Sequence, residues 1–586
     1  MPESGRNTKK EGHQLKNIRK KILVFAIVST LAFLLSGCKG SHSRLPGTGT
    51  EGVVEKIDWS GYDRLLAESS KETDPVRRAL LLHEAEDMLI DSGAIGPLTS
   101  SRSFTLIKPD ITGVEYVNNG SIDITHIAKK DGAESIRVCF CAEIPKLDPP
   151  ANTSADLCYI LQNTYARLLK KNGNGNILPE LAESYTVSDD GLLYQFVIRD
   201  GLRWSDGSAL SAKDFEYSWK RASASENAFE YSNMFDCISG YPDDLAVEAS
   251  EDGKVLSVRL SNPTAYFPEL CCHSSYTPVQ RTQVEAAEGY MDASGSLLNP
   301  SAWAADGPIV SNGAYVAEKW NHNESIVLRK NPYYYDADNV KTETVILMLS
   351  SDMASAYSAY LSDSVSVLAD RIPADMLSTL MDSPELYSVN KDSSSSLMFN
   401  VNSPLFAGMT LEEAATFRKA VRLAVDSQFI TDVVSTGSKT VCGTYVPKGI
   451  SDGTGRKFSE TEGYKYPEEN GYYPAQPDLD KAREMLQSIG FEFGDDGKLR
   501  KPITIDYLYS SGAANEALAV ALQADLAQLG INLALSSREW AVFLGEEANG
   551  NFELAVTNWN ADFSDPYNFL SLYMTDSPNN RAMLGR

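Results

Sequence analysis

The chain has 586 residues, 42% hydrophobic and 23% charged, with a formal net charge of -26. That length exceeds what one hydrophobic core serves and predicts two or three lobes. The composition is that of a soluble globular protein. The acidic balance excludes nucleic acid as a partner, since that needs basic patches, and suits a cleft that draws in cations.

The first segment reads as an address. Arg19, Lys20 and Lys21 precede an apolar run at residues 22–35, which is too short to span a bilayer as a helix. The run ends in Leu35-Ser36-Gly37-Cys38. Charged region, apolar region and small residues make a secretory signal over residues 1–37. A Cys directly after Leu-Ser-Gly resembles a bacterial lipobox. That implies cleavage before Cys38, a diacylglycerol on its sulfur, and a mature protein anchored on the outer face of the cell membrane (the periplasmic side if the cell has an outer membrane). Residues 38–56, rich in Gly, Ser and Thr, read as a flexible tether.

Ordered structure is expected from Ile57. A helix follows, with Asp74 as N-cap, Pro75 in the first turn, Gly93 just past the end, and Leu81, Ala85, Met88 and Leu89 as its apolar stripe. His83-Glu84 does not open a zinc motif, because Asp87 stands where the second His would fall. Residues 104–107 form a short extended run and residues 136–141 a strand, on which Cys139 and Cys141 should share a face. A helix is expected over residues 161–169. Tyr194, Phe196 and Ile198 alternate along a strand, and Lys213-Asp214-Phe215 opens a helix carrying Trp219. Strands follow at 255–260, at Val316, at 326–329 and at 397–400. Thr410 and Glu413 make a capping box for a helix burying Ala414, Phe417, Val421, Ala424 and Val425. Asp478 caps another helix. Strands at 503–509 and 531–535 flank a further helix ending near Leu529-Gly530. Strands alternating with helices predict α/β lobes.

Seven cysteines remain besides Cys38 (139, 141, 158, 237, 271, 272 and 442), so at least one thiol is free or pairs between chains. None has CxxC spacing, and we assign no metal and no cofactor. No GxSxG, Walker loop or zinc spacing is present, so we read the chain as not an enzyme.

The stretch around which the rest is organised lies at residues 552–566. Phe552, Leu554 and Val556 alternate with Glu553, Ala555 and Thr557, the period-2 pattern of a strand with one buried face. The strand then meets Trp559, the carboxylate of Asp562, and Asp565 in front of Pro566. An aromatic and an acid at a strand end make a floor for a cationic ligand.

These pieces carry a family resemblance. Leu181-Ala-Glu-Ser-Tyr185, Asp190-Gly191, Phe196-Val-Ile-Arg199-Asp200-Gly201 and Trp204-Ser-Asp-Gly207 come in that order. Asn312-Gly-Ala-Tyr315, Arg329-Lys-Asn-Pro332-Tyr333, Phe399-Asn400 and Trp559-Asn-Ala-Asp562-Phe-Ser-Asp-Pro566 follow. The set resembles the oligopeptide- and dipeptide-binding lipoproteins of peptide-importing ABC transporters, bacterial extracellular solute-binding protein family 5. The likeness covers nearly everything from Ile57 onward.

The order of the pieces is unusual. The family's chain normally continues past the Trp559 region, and here that continuation stands at the front, as Trp59-Ser-Gly-Tyr62-Asp63, Ala85-Glu86-Asp87-Met-Leu89 and Ile95-Gly-Pro97. We therefore read a circular permutant, bridged at residues 118–134. A rearranged or misassembled coding sequence is the alternative.

The resemblance implies an α/β fold of the periplasmic-binding-protein-like class II clamp, with two lobes and an extra subdomain. Its expected parts are residues 57–100, packing with a second lobe at 390–586; a discontinuous first lobe at 101–180 and 300–389; and an extra subdomain at 181–299. It implies capture of short peptides outside the cell, a monomer, and ABC transporter permease subunits as partners. Asp562 would meet the peptide's α-ammonium, Trp559 would wall the pocket, and the backbone of Val556, Thr557 and Asn558 would pair with the peptide. Asp565 would support the turn, and residues 152–154 would line the cleft. Relatives that fix peptide length place Arg at the positions of Val556 and Glu547, and this chain has neither. A surface peptide sensor or chaperone, or a binder of a metal chelate or haem through the Cys pairs, remain as alternative functions.

Overall fold

A computed structural model describes residues 54–117, 120–151, 154–173, 175–453 and 455–586. The signal at 1–37, Cys38, most of the tether, residues 118–119 of the bridge and residues 152–153 lie outside the described residues. Among the described residues, no helix is long and apolar enough to cross a membrane.

The fold is built on a 12-stranded sheet and two large cores. Its main path runs 315–321, 325–330, 344–349, 135–141, 367–369, 95–107, 393–399, 554–560, 503–510 and 531–538. The strand Ile95–Ile107 is shared by both halves. Its first part pairs with the strand Ser393–Phe399, Ile95 opposite Met398. Its last part pairs with residues 367–369 and 386–390. One core gathers residues of 111–369, the other residues of 59–98 and 397–584. The segments 95–107 and 386–399 run from the second core into a small third cluster around Phe104, Leu106, Cys139 and Tyr360, and Ile107 reaches the first core.

A separate four-stranded sheet, in the order 247–249, 255–259, 193–198 and 182–187, carries the helix Ala212–Ser223 on one face. Ser211 and Asp214 close a capping box on that helix. Trp219, fully buried, donates its indole N–H to the Tyr276 carbonyl at 2.9 Å.

The front helices, Ser60–Ser69 and Pro75–Asp91, belong to the second core. Trp59 Nε1 donates to the Tyr573 carbonyl at 2.8 Å, the Tyr62 hydroxyl to the Leu570 carbonyl at 2.7 Å, and the Thr575 N–H to Asp63 Oδ1 at 3.0 Å. Residues 57–97 thus pack beside the far end of the chain.

Several elements differ from expectation, each for a local reason. The helix expected over 161–169 is Ala155–Thr164. It stops because the Asn312 side chain accepts the Ala166 N–H and the Gly313 N–H caps the Thr164 carbonyl. The run at 104–107 is the end of the 13-residue strand Ile95–Ile107, whose start carries Gly96 and Pro97, residues that weaken a strand pattern. The strand at 397–400 begins four serines earlier, at Ser393. Leu81 and Met88 are only half-buried, while Leu82, His83 and Glu86 of the same helix are buried. Cys139 and Cys141 do not share a core: Cys139 packs with Ala356 and Tyr360, Cys141 with the first core. A register shift between Leu347 opposite Val138 and Leu349 opposite Cys141 turns the strand between them.

Candidate functional site

A cavity of about 450 Å³ lies between the two cores. The wall from the first core includes Tyr159, Arg167, Lys171, Tyr231, Glu269 and His273; the facing wall includes Lys391, Asp392 and residues 558–564.

The facing wall grows out of the strand Leu554–Asn560. One edge of this strand pairs along its length with Ser393–Phe399, Val556 opposite Leu397 and Asn560 opposite Ser393. The other edge meets the strand Ile503–Ser510 only at Leu554 and Ala555. Between two strands, Leu554 and Ala555 are both fully buried, so the expected alternation fails there. Past Ala555 the neighbours diverge. Among the described residues, the outer backbone edge of residues 556–560 has no strand partner, a template for an added strand.

Asp562 stands just beyond. Its Oδ1 accepts from the Tyr231 hydroxyl at 3.3 Å, across the cleft. Burial raises its pKa, and hydrogen bonds from Asn568 and Tyr231 pull it back. No cationic side chain is within ion-pair reach of it among the described residues. Asn568 also fixes the neighbouring geometry, since its Oδ1 accepts from Trp559 Nε1 at 3.0 Å and from the Asp562 N–H at 3.3 Å. Asp565 is tied off. Fully buried, it takes both amino groups of Arg78, at 2.9 and 2.8 Å, and the Tyr567 N–H at 2.9 Å. A front helix therefore clamps the loop that presents Asp562.

Of the residues expected at the site, Asp562, Trp559 and Asn558 line the cavity. Val556 and Thr557 do not: Val556 packs on the second core, and the Thr557 side chain acts on Tyr573, away from the cavity. Glu547 is buried, its pKa pushed up to about 7 by that burial and drawn back by Arg581.

The sequence reading missed most of the first wall. Lys171 Nζ lies 2.6 Å from Glu269 Oε2, with both side chains nearly buried. The Tyr231 and His273 rings stack at 5.8 Å between centroids. Lys391 Nζ is 3.1 Å from Asp370 Oδ2, which also accepts from the Tyr159 hydroxyl. Burial raises Asp392, with Lys171 drawing it back. One signal was visible: Arg167 is a lone charge inside Tyr165-Ala-Arg-Leu-Leu169. Tyr231 sits in the short 3-10 segment Glu230–Phe235, which has no periodicity to read.

The thiols do not assemble. Cys139, Cys141, Cys271 and Cys272 are buried, and burial pushes each thiol's pKa up, away from the ligating thiolate. Among the described residues no group of three or more His, Cys, Asp or Glu could hold a metal ion.

The family model for "Bacterial extracellular solute-binding proteins, family 5 Middle" matches residues 176–581. The chain belongs to this family. Among its family 5 relatives is the periplasmic oligopeptide-binding protein OppA of Salmonella typhimurium, 28% identical over 459 residues, covering 75% of this chain and 77% of that one. The dipeptide-binding protein DppE of Bacillus subtilis is 27% identical over 465 residues, 78% of this chain and 79% of the relative. The periplasmic murein tripeptide binding protein MppA in its unliganded open form superposes with a TM-score of 0.61 at 20% identity, over 78% of this chain and 84% of that one. Listeria monocytogenes OppA bound to peptide gives 0.55 at 24% identity, over 77% and 86%. The fold is the two-lobed clamp of these family 5 binding proteins.

Proposed function

We propose that this protein captures short peptides outside the cytoplasm and delivers them to an ABC importer. The observation that carries the proposal is Asp562, an acid with no cation in ion-pair reach among the described residues, at the end of a strand whose outer edge has no strand partner among them. An extended peptide completes both features. Its backbone adds to the edge at residues 556–558, largely regardless of side chains. Its α-ammonium meets Asp562, a charge-assisted bond strengthened by the poorly hydrated cleft. Trp559, held by Asn568, walls the pocket. Relatives named for binding oligopeptides and dipeptides support the ligand class.

Cys38 carries the lipid that holds the protein at the membrane, and residues 39–56 give it reach. Residues 57–97 supply the segment that the family normally carries after the Trp559 region. Their hydrogen bonds to Leu570, Tyr573 and Thr575 support that permuted order.

The test is thermal melting of the purified protein with a pool of short peptides and with the same pool N-acetylated. A ligand at ~100 times its dissociation constant adds roughly 2.7 kcal/mol. A shifted midpoint with free peptides and none with acetylated ones is expected. A cooperative melt that neither pool shifts would move the ligand elsewhere.

A further inference from the structure

Among the described residues, three cationic side chains and three carboxylates line the cavity, and they are not paired one to one: Asp392 feels Lys171, which already holds Glu269. Lys171 is matched by Glu269 and Lys391 by Asp370. Arg167 is not matched. The residue is only 3% exposed yet it lines the cavity. Nε donates to Thr277 Oγ1 at 3.2 Å and Nη1 to Gln162 Oε1 at 3.3 Å, both neutral acceptors. Glu180 accepts the backbone N–H of Arg167 at 2.7 Å, not its guanidinium. Among the described residues, Nη2 has no hydrogen-bond partner in the protein and no carboxylate is within ion-pair reach of the guanidinium. Neighbouring groups do not fully supply the missing charge. Burial pushes Glu180 up to about 7 while Lys170 and Arg167 draw it back, so Glu180 gives Arg167 only part of a counter-charge and shares it with Lys170. Burial, followed by the Arg167 charge, pushes His273 down to about 4 and keeps it neutral.

A buried guanidinium in this state is costly unless something anionic completes it. Asp562 has the opposite need on the facing wall. Tyr231 lies between them: its hydroxyl is on Asp562 and its ring on His273, which feels Arg167. The matching ligand is dipolar, with an ammonium at one end and a carboxylate at the other. We infer that Arg167 is the carboxylate-binding residue of the cleft, taking the C-terminal carboxylate of a short peptide whose α-ammonium sits on Asp562. This rests on the peptide reading above and deepens it. The two charged contacts come from opposite walls, so a peptide that makes both binds the closed clamp better than the open one. The span between them selects length, in place of the arginines this chain lacks at Val556 and Glu547.

The experiment is titration calorimetry with alanine peptides of two to five residues, as free acids, as C-terminal amides, and as amides carrying one glutamate. One length is expected to bind best as a free acid and at least ~10-fold more weakly as its amide. Arg167→Gln should weaken the free acid by a similar factor and leave the amide unchanged; Arg167→Lys should recover part of the loss. The comparison of acid with amide on the unaltered protein needs no variant to fold. Equal binding of acid and amide, with free peptides still preferred over acetylated ones, would overturn the role of Arg167 and spare the peptide reading. A glutamate-bearing amide that binds as tightly as the free acid would overturn the C-terminal assignment in favour of an acidic side chain. Absence of binding by any peptide would overturn both readings together.

Discussion

Replacing Arg78 by Met should be among the most damaging single changes around the second core. The guanidinium reaches Asp565 with two parallel bonds of 2.9 and 2.8 Å, and the two side chains are 2% and 0% exposed. Methionine keeps most of the stem's packing, so the loss is chiefly electrostatic. The change leaves a carboxylate buried with one remaining donor, the Tyr567 N–H. Breaking such a pair from one side costs about 3–5 kcal/mol. A solvated surface pair is worth about 1 kcal/mol at most, so the two cases separate cleanly. Urea unfolding followed by tryptophan fluorescence measures the loss, and the Arg78→Met, Asp565→Asn double variant should recover a large part of it. Peptide affinity should fall in the single variant as well, because Asp565 holds the loop that presents Asp562. A loss under about 1 kcal/mol for Arg78→Met, or losses that simply add in the double variant, would refute the reasoning.

Further outcomes follow from other parts of the molecule. Burial pushes Glu86 up to about 8 from an ordinary 4.5, against the pull of the Val446 N–H and the Tyr466 hydroxyl. The native state then holds a proton that the unfolded chain releases, so stability falls as pH rises from about 5 to about 8. Glu86→Gln should flatten that fall in urea midpoints; parallel pH profiles for the two proteins would remove Glu86 as its cause. At Gly313 an added Cβ would sit 2.4 Å from the Thr164 carbonyl carbon and 2.5 Å from the Tyr165 nitrogen. Gly313→Ala should therefore cost about 1–3 kcal/mol, and an unchanged melting midpoint would show that this backbone yields freely. Removing residues 57–97 strips Trp59, Tyr62 and Arg78 from the second core. The shortened protein should show no cooperative melt of that lobe, whereas intact melting and binding would contradict the role given to the front segment.

Much of the fold was legible because its signals are local. The capping box at Thr410 and Glu413 forms as expected, and all five apolar residues assigned to that helix are buried. Asp74 caps the helix Pro75–Asp91 by accepting the Arg77 N–H. The strand of Ser393–Ser396 was not legible. Four serines carry neither the β-branched nor the aromatic side chains that mark a strand, yet all four are buried in the middle of the sheet. Their place is set by pairing with the Trp559 strand and with residues 95–99, which no local window reports. The site divides in the same way. Asp562 and Trp559 follow a readable strand, while Arg167, Tyr231 and His273 reach the cavity from loops and a short 3-10 segment. Only the tertiary fold brings those three together.

The central claim is that Asp562 receives the α-ammonium of a peptide. Its most direct test is titration calorimetry of one short free peptide on the unaltered protein and on Asp562→Asn, which keeps the shape and the Tyr231 contact while removing the charge. The account predicts a loss of at least ~30-fold in affinity, with the melting midpoint of the unliganded protein held or raised. Equal affinity for the two proteins would contradict it.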